Sequence, residues 1–171
     1  ERRARLEAET ARQVSGFLVG LFEVAAPDQA RGHTITAREI LDAGSERIGR
    51  ELVAQPQTQA RLLGTMGTVY RKLGLYEEAE PKLQRALELR RASPGAPVAE
   101  LAAALGDLAD LYLDQARYQE AEAAITEALP LLDDAAGAGR LQLASRLTDL
   151  GSVYRRQGRF VSHGGQAADV I

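Results

Sequence analysis

Cysteine and tryptophan are absent from this sequence of 171 residues, and methionine occurs only once. Without cysteine the chain has no disulfide, no thiolate metal ligand and no cysteine nucleophile. Its two histidines, His33 and His163, belong to no metal-binding motif, so we expect neither a metal nor another cofactor. The longest apolar run, residues 16–22, is much shorter than the roughly 20 residues that span a bilayer.

An excess of one charge sign is also lacking, because the formal net charge is −3 at pH 7. A chain with this charge is not expected to bind nucleic acid. No signal peptide is visible, and the chain begins at Glu1 with its only methionine at Met66, so we expect a fragment of a longer protein. Most of the basic residues are arginine, which is typical of a GC-rich bacterial genome.

A repeated segment dominates what is present. The stretch LGTMGTVYRKLGLYEEAE at residues 63–80 returns as LGDLADLYLDQARYQEAE at 105–122, and it starts a third time at 147–160. A constant step of 42 residues separates the equivalent aromatic positions Tyr70, Tyr112 and Tyr154. A fixed period of this length predicts stacked supersecondary units.

Each unit reads as a pair of helices. Leu63, Met66, Gly67 and Tyr70 fall on one face of a first helix, which Gly74 ends. A second helix follows, with its apolar side formed by Tyr76, Ala79, Leu83, Ala86 and Leu87. Small residues recur where the helices meet, so the pair packs closely. One pair cannot bury its own apolar face, and stacking of the units is expected.

This pattern resembles the tetratricopeptide repeat (TPR), in the 42-residue variety found in kinesin light chains and many bacterial proteins. The resemblance implies an all-α fold, a right-handed superhelical array of antiparallel helix pairs (a TPR solenoid) with two leading helices. We expect leading helices over residues 1–55 and the array over 56–160, followed by an irregular tail over 161–171. Within the array, the repeats fall at about 57–97, 98–139 and, in part, 140–160.

The two ends of the array depart from the repeat. Residues 1–25 read as one helix, and Thr36 with Glu39 forms a capping box for a second helix over about 37–54. A shift of 42 residues suggests that this helix is the second one of a degenerate leading repeat. After Phe160 the expected helix is missing, because the sequence continues as VSHGGQAADVI. An uncapped apolar face there would favour a homo-oligomer.

Prolines interrupt two of the expected helices. Pro81 lies just past the first turn of its helix, and the family often carries proline there, so we expect the helix to continue. Pro130 is expected to kink or shorten the end of the second repeat.

A second resemblance covers residues 13–91. The phrase FLVGLFEV, followed by TAREILD and the first repeat, is similar to the region after the catalytic domain in bacterial eukaryotic-type serine/threonine protein kinases with C-terminal TPRs. It implies the regulatory or scaffold part of such a kinase, with the parent kinase domain as one partner. Members are often membrane-anchored, so this part would be either cytoplasmic or extracytoplasmic. The kinase motifs themselves are missing from this chain, so we expect no catalysis here.

Surface residues are then the candidates for function. In the family, the first helix of each repeat lines a concave groove that binds a peptide or a partner domain. The matching positions are Arg61, Thr68, Arg71 and Lys72 in the first repeat, Asp110, Leu113 and Asp114 in the second, and Thr148, Ser152, Arg155 and Arg156 in the third. This stripe is basic, acidic and basic, which suggests a ligand of mixed charge whose carboxylates are clamped by arginines. An ordinary solvated face is the alternative.

Other functions are compatible with the same sequence. The module could belong to another bacterial signalling or transcription-regulatory protein, or serve in self-association. An enzyme with a cryptic site is a further alternative, which a deep pocket with convergent, pKa-shifted groups would favour.

Overall fold

The computed structural model describes residues 36–95, 97–133 and 138–156. These ranges contain six helices and no strand. The helices are α1 (Ala37–Glu51), α2 (Pro56–Lys72), α3 (Tyr76–Ala92), α4 (Val98–Asp114), α5 (Tyr118–Asp133) and α6 (Ala138–Arg156). The prediction of an all-α solenoid of helix pairs is confirmed.

Packing follows the chain order. Helix α2 packs most extensively on α3, and α4 packs in the same way on α5. The α3–α4 and α5–α6 contacts then join one pair to the next, and α1 packs against α2. One continuous apolar core results, whose largest fully buried side chains are Tyr70, Ile48, Leu83, Leu105, Leu111, Ile125 and Val153. The core therefore extends along the stack and has no single centre.

Local signals set where the first two helices begin. The Thr36 side chain accepts a hydrogen bond from the Glu39 backbone, and the Glu39 carboxylate accepts one from the Thr36 backbone at 2.7 Å. This capping box satisfies amide donors that have no partner within the helix. Pro56 occupies the first turn of α2, where its missing N–H costs nothing.

Left-handed residues end the first helix of both complete pairs. Gly74, after α2, has φ 75°, and Ala116, after α4, has φ 57°. The residue that follows each of them donates its amide back into the helix, Leu75 to the Tyr70 carbonyl at 2.9 Å and Arg117 to the Tyr112 carbonyl at 2.8 Å. Glycine adopts this conformation without steric strain, whereas alanine does not.

Close packing of α2 on α3 depends on Gly67. A Cβ atom at this position would lie 2.6 Å from Cγ and Cδ2 of Leu83, which is buried. Pro81 lies inside α3, which continues to Ala92 as expected. Pro130 lies in the last turn of α5, which continues to Asp133.

Some predicted features lie outside the described residues, namely the leading helix over 1–25, His33, His163 and the tail over 161–171. Among the helices that are described, none is both long and apolar enough to cross a bilayer.

Candidate functional site

Helices α2, α4 and α6, the first helices of the three units, lie side by side and contact one another. We call the surface that they form the A-helix face. Helices α1, α3 and α5 form the other layer, the B-helix face. All eleven candidate binding residues belong to α2, α4 or α6, so their geometry can be compared along one surface.

Arg71 and two aspartates form the centre of the A-helix face. The Arg71 guanidinium donates from Nη1 to Oδ2 of Asp114 at 2.7 Å and lies 3.7 Å from Oδ2 of Asp110. The Arg71 side chain is only 19% exposed. Three of the predicted residues therefore come together, and the arginine binds carboxylates of its own chain and ties α2 to α4.

A second cluster lies at the other end of α2. Arg61 Nη2 donates to Oε1 of Glu100 at 3.2 Å, and Arg90 Nε is 3.8 Å from the other oxygen of that carboxylate. Arg90 is 11% exposed, and its guanidinium extends beside Gly64. Burial lowers the pKa of Arg90, and the charges of Glu100 and Asp107 oppose this shift. Sequence reasoning included Arg61 in the site and missed Arg90 and Glu100.

The remaining candidates on α2 and α4 differ in what they expose. Lys72 is exposed at the end of α2. Thr68 is half-buried, and its hydroxyl donates to the Gly64 carbonyl at 3.0 Å. Leu113 is partly buried and packs against the core. Among these three residues, Lys72 is therefore the one placed to reach a partner.

On α6, the candidates are polar and partly exposed. Arg155 is exposed and donates from Nη2 to Oγ of Ser152 at 3.1 Å. Thr148 is exposed and takes part in an interaction within the chain. Arg156 is the last residue of the helix, and its side chain lies outside the described part of the structure.

Ion pairs also connect the helices of the B-helix face. Arg38 of α1 pairs with Glu78 of α3, and Arg91 of α3 pairs with Glu127 of α5. Arg117, just before α5, pairs with Glu80 at 2.7 Å, and this bond together with that to Glu120 raises the Arg117 pKa. Within the described residues, the hydrogen-bonded ion pairs that join successive units have partners 36 to 43 residues apart. Opposite charges about one period apart were therefore a sequence signal for these contacts.

Two of the tyrosines that repeat with the period, Tyr70 and Tyr112, are buried in the core. The Tyr70 hydroxyl donates to Oδ1 of Asp42 at 2.5 Å and lies 3.5 Å from Oγ of Ser45, while Lys82 Nζ is 4.9 Å from the ring centroid. Burial, and then the hydrogen bond to Asp42, raises the pKa of Tyr70 to about 12. Tyr70 is therefore a protonated donor at neutral pH and not a nucleophile.

An open cavity of about 650 Å³ lies between α1, α2 and α3. Leu63, Leu89 and Val53 contribute apolar side chains to its lining. Lys82 and Arg85 contribute cations from α3, while α1 contributes Asp42, Ser45, Glu46 and Gly49. Within residues 36–95, 97–133 and 138–156, no group of three or more potential ligand side chains is arranged to hold a metal ion.

Comparison with known families agrees with this architecture. A family model described as tetratricopeptide repeat matches residues 58–134 and again 100–162, together more than half of the chain. The chain belongs to the tetratricopeptide repeat family. TPR repeats generally mediate protein–protein interaction, and an all-helical repeat domain of this kind is a non-catalytic type of scaffold.

A solved structure shares the fold. The crystal structure of BtubC (BKLC) from P. vanneervenii superposes with a TM-score of 0.60 at 15% sequence identity, over 98% of this chain and 82% of that one. At this identity the likeness concerns the fold alone. A search of curated proteins found no match.

Proposed function

We propose that this TPR chain is a scaffold that binds an extended segment of a partner protein along the A-helix face. The observation that carries the proposal is the alternation of charge across adjacent helices. Exposed cations, Lys72 on α2 and Arg155 on α6, lie on either side of the carboxylates Asp110 and Asp114 on α4. A segment of mixed charge complements this order, because each sign meets its opposite.

Arg71 has a different role in this proposal. Its guanidinium is mostly buried and already has two carboxylate partners within the chain. Since Arg71 holds Asp110 and Asp114 in place, it positions the acidic side chains that face a partner's cations. The exposed Arg61, Lys72 and Arg155 are then the residues that meet a partner's carboxylates.

We also propose that the chain is the regulatory or scaffold part of a bacterial serine/threonine protein kinase. Support comes from the sequence resemblance over residues 13–91. Reading the coding sequence upstream of Glu1 tests this proposal. A reading frame that continues into a Gly-rich loop, a strand lysine, and the His-Arg-Asp and Asp-Phe-Gly motifs is expected. A regulator domain of another type in that place would contradict it.

A binding experiment tests the A-helix face. The immobilised chain is used to capture partners from lysate of the source organism. The binding region of a captured protein is then mapped to a short segment, which is made as a synthetic peptide. Affinity for that segment is measured for the natural chain, Lys72→Glu and Arg155→Glu. We expect each variant to weaken binding about 5- to 10-fold, because an exposed attractive charge becomes repulsive.

Arg50→Glu is the matched control, since Arg50 is an exposed residue of α1 with the same charge change. Its affinity is expected to stay within about twofold of the natural chain. Equal affinity for all four chains would overturn the proposal that the A-helix face binds the segment.

A further inference from the structure

The cavity beside α1 is distinct from the A-helix face, because three of its walls are α1, α3 and the α1–α2 connection. We define the first junction as the place where α1 and α3 meet over α2, and the second junction as the place where α3 and α5 meet over α4. The 42-residue period makes the two junctions equivalent position by position. Comparing equivalent positions therefore shows which side chains of one junction are missing from the other.

At the second junction the corresponding space is filled by the chain itself. Leu87 is buried there, and Arg91 reaches across the junction to the carboxylate of Glu127. At the first junction, Ser45 stands at the position of Leu87 and Gly49 at that of Arg91. A Cβ atom on Gly49 would have no described atom within 4 Å. An aliphatic side chain and a charged head group are thus missing from the first junction.

The sign of the charge that is missing from the first junction follows from a third pair of equivalent positions, on the opposite wall. Arg85 occupies the position of Glu127, so the α3 wall carries a cation where the α5 wall carries a carboxylate. Arg85 also pairs with Glu88 at 2.9 Å, but Glu88 is 62% exposed and does not line the cavity. Lys82, in the position of Ala124, adds a second cation. A group that completes the first junction must therefore carry a negative charge on its α3 side.

The carboxylates of the opposite wall do not change this sign. Asp42 already accepts the Tyr70 hydroxyl and lies 3.8 Å from the Arg38 guanidinium. Glu46 is exposed on the α1 rim, on the other side of the cavity from Arg85. An anionic group of a ligand is thus directed away from α1 and toward α3.

We propose that the first junction binds a partner protein through an aliphatic side chain followed by a carboxylate, such as a Leu-Glu pair on the partner's surface. The aliphatic group packs on Leu63 and Leu89 in the place that Leu87 fills at the second junction. The carboxylate pairs with Arg85 and Lys82, with its charge reversed relative to Arg91. This site is a second interaction surface and is independent of the A-helix face.

Titration of the ¹⁵N-labelled full chain with acetyl-Leu-Glu-amide, followed by NMR, tests the proposal. A small ligand of this size is expected to bind with a Kd of about 1 mM. Saturable shifts are expected at the amides of Ser45, Gly49, Lys82 and Arg85. Acetyl-Leu-Lys-amide, the charge-reversed probe, is expected to bind at least about fivefold more weakly.

Two variants separate the site from a general effect on folding. Ser45→Leu/Gly49→Arg introduces the side chains found at these two positions of the second junction, with Arg85 still in place of Glu127. It is expected to abolish the shifts while helical circular dichroism stays unchanged. Arg85→Glu changes a side chain that is 56% exposed, and it is expected to reverse the preference toward acetyl-Leu-Lys-amide. Equal binding of the two probes, no shifts at about 10 mM probe, or shifts confined to α2 and α4 would overturn the proposal.

Discussion

The first and second junctions have the same backbone plan and are completed by different side chains. At the first junction, the Tyr70 hydroxyl donates to Asp42. At the second junction, Gln84 stands at the position equivalent to Asp42, and its Nε2 lies 3.5 Å from the Tyr112 hydroxyl. A cation lies over each tyrosine ring. The cation over Tyr70 is Lys82, within α3, whereas the cation over Tyr112 is Arg117, the residue before α5, at 4.4 Å from the ring centroid. The period thus specifies the scaffold, and residues that break the period determine the chemistry of each junction.

Charge placement differs in the same way. The first junction pairs a cation on α1, Arg38, with an anion on α3, Glu78. The second junction contains one pair in the same order, Arg91 on α3 with Glu127 on α5, and one in the reverse order, Glu80 on α3 with Arg117 beside α5. The reversed pair is what distinguishes the two junctions. Because these side chains are partly exposed, we expect the pairs to contribute little to the free energy of unfolding.

The helix contact at Gly67 offers the largest expected difference between the two junctions. The substitution Gly67→Ala forces a Cβ atom against the buried Leu83, and we expect a loss of about 2 to 3 kcal/mol in the free energy of unfolding. The equivalent position in the second unit is Ala109, which is buried in the same core as Ile125, the counterpart of Leu83. Urea denaturation followed by circular dichroism measures the loss.

Gly151, the third equivalent position, provides the control for that substitution. A Cβ atom there meets no described atom within 4 Å. Gly151→Ala is therefore expected to stabilise the chain by up to about 1 kcal/mol through helix propensity. Similar changes in the free energy of unfolding for Gly67→Ala and Gly151→Ala would show that the contact with Leu83 does not exclude a side chain at position 67.

The Tyr70 network predicts a pH dependence. Because the folded chain raises the pKa of Tyr70 to about 12 from an ordinary value of 10, its contribution is fully present below pH 10 and is lost as the pH rises toward 12. At 1.36 kcal/mol per pKa unit, raising the pKa from 10 to about 12 corresponds to a loss of at most about 2.7 kcal/mol. Urea denaturation at pH 9, 10, 11 and 12 follows it.

Substitution of each tyrosine identifies the source of this loss. Tyr70→Phe is expected to reduce the loss of stability at alkaline pH, because the ionising hydroxyl is removed. Tyr112→Phe is expected to leave the loss caused by Tyr70 unchanged. An alkaline decline that is the same in Tyr70→Phe as in the natural chain would exclude the network as its cause.

The ends of α2 and α4 predict opposite effects of exchanging glycine and alanine. Ala116 adopts φ 57°, so Ala116→Gly should relieve strain and stabilise the chain by about 1 kcal/mol. Gly74 adopts φ 75°, and Gly74→Ala should destabilise it by a similar amount. Thermal denaturation of both variants measures the two shifts. Shifts of the same sign would contradict this explanation of the helix ends.

The exposed ion pairs should give the smallest effects. Arg91→Ala removes only a pair whose side chains are both about half exposed, and we expect a loss below about 0.5 kcal/mol that vanishes in 1 M salt. Arg117→Ala also removes the cation over the Tyr112 ring, so a loss of about 1 kcal/mol is expected. Denaturation in low and high salt distinguishes them, and a larger loss for Arg91→Ala would be inconsistent with the geometry.

Periodicity made most of the fold predictable from the sequence. The apolar spacing, the capping box at Thr36 and the glycine at position 74 indicated helix pairs with these starts and ends. The left-handed Ala116 could not be read from its residue type, because only its equivalence to Gly74 marks it. In the candidate site, exposed charges were predicted one at a time, so the pairing of Arg71 with Asp114 and of Arg61 with Glu100 was missed.

The first-junction cavity was not predicted, because it arises from what Ser45 and Gly49 lack relative to Leu87 and Arg91. A resemblance to the repeat family identifies the positions that the repeats share, and not the positions at which they differ. Comparison of the repeats with one another, residue by residue, supplies that information.

Hydrogen–deuterium exchange of the full chain, with and without a captured partner, tests most directly which face binds. We expect slower exchange in α2, α4 and α6, centred on Lys72, Asp110 and Ser152, when the partner is bound. The Lys72→Glu chain should show less protection at the same partner concentration. Protection confined to α5, with α2, α4 and α6 unchanged, would contradict the assignment of binding to the A-helix face.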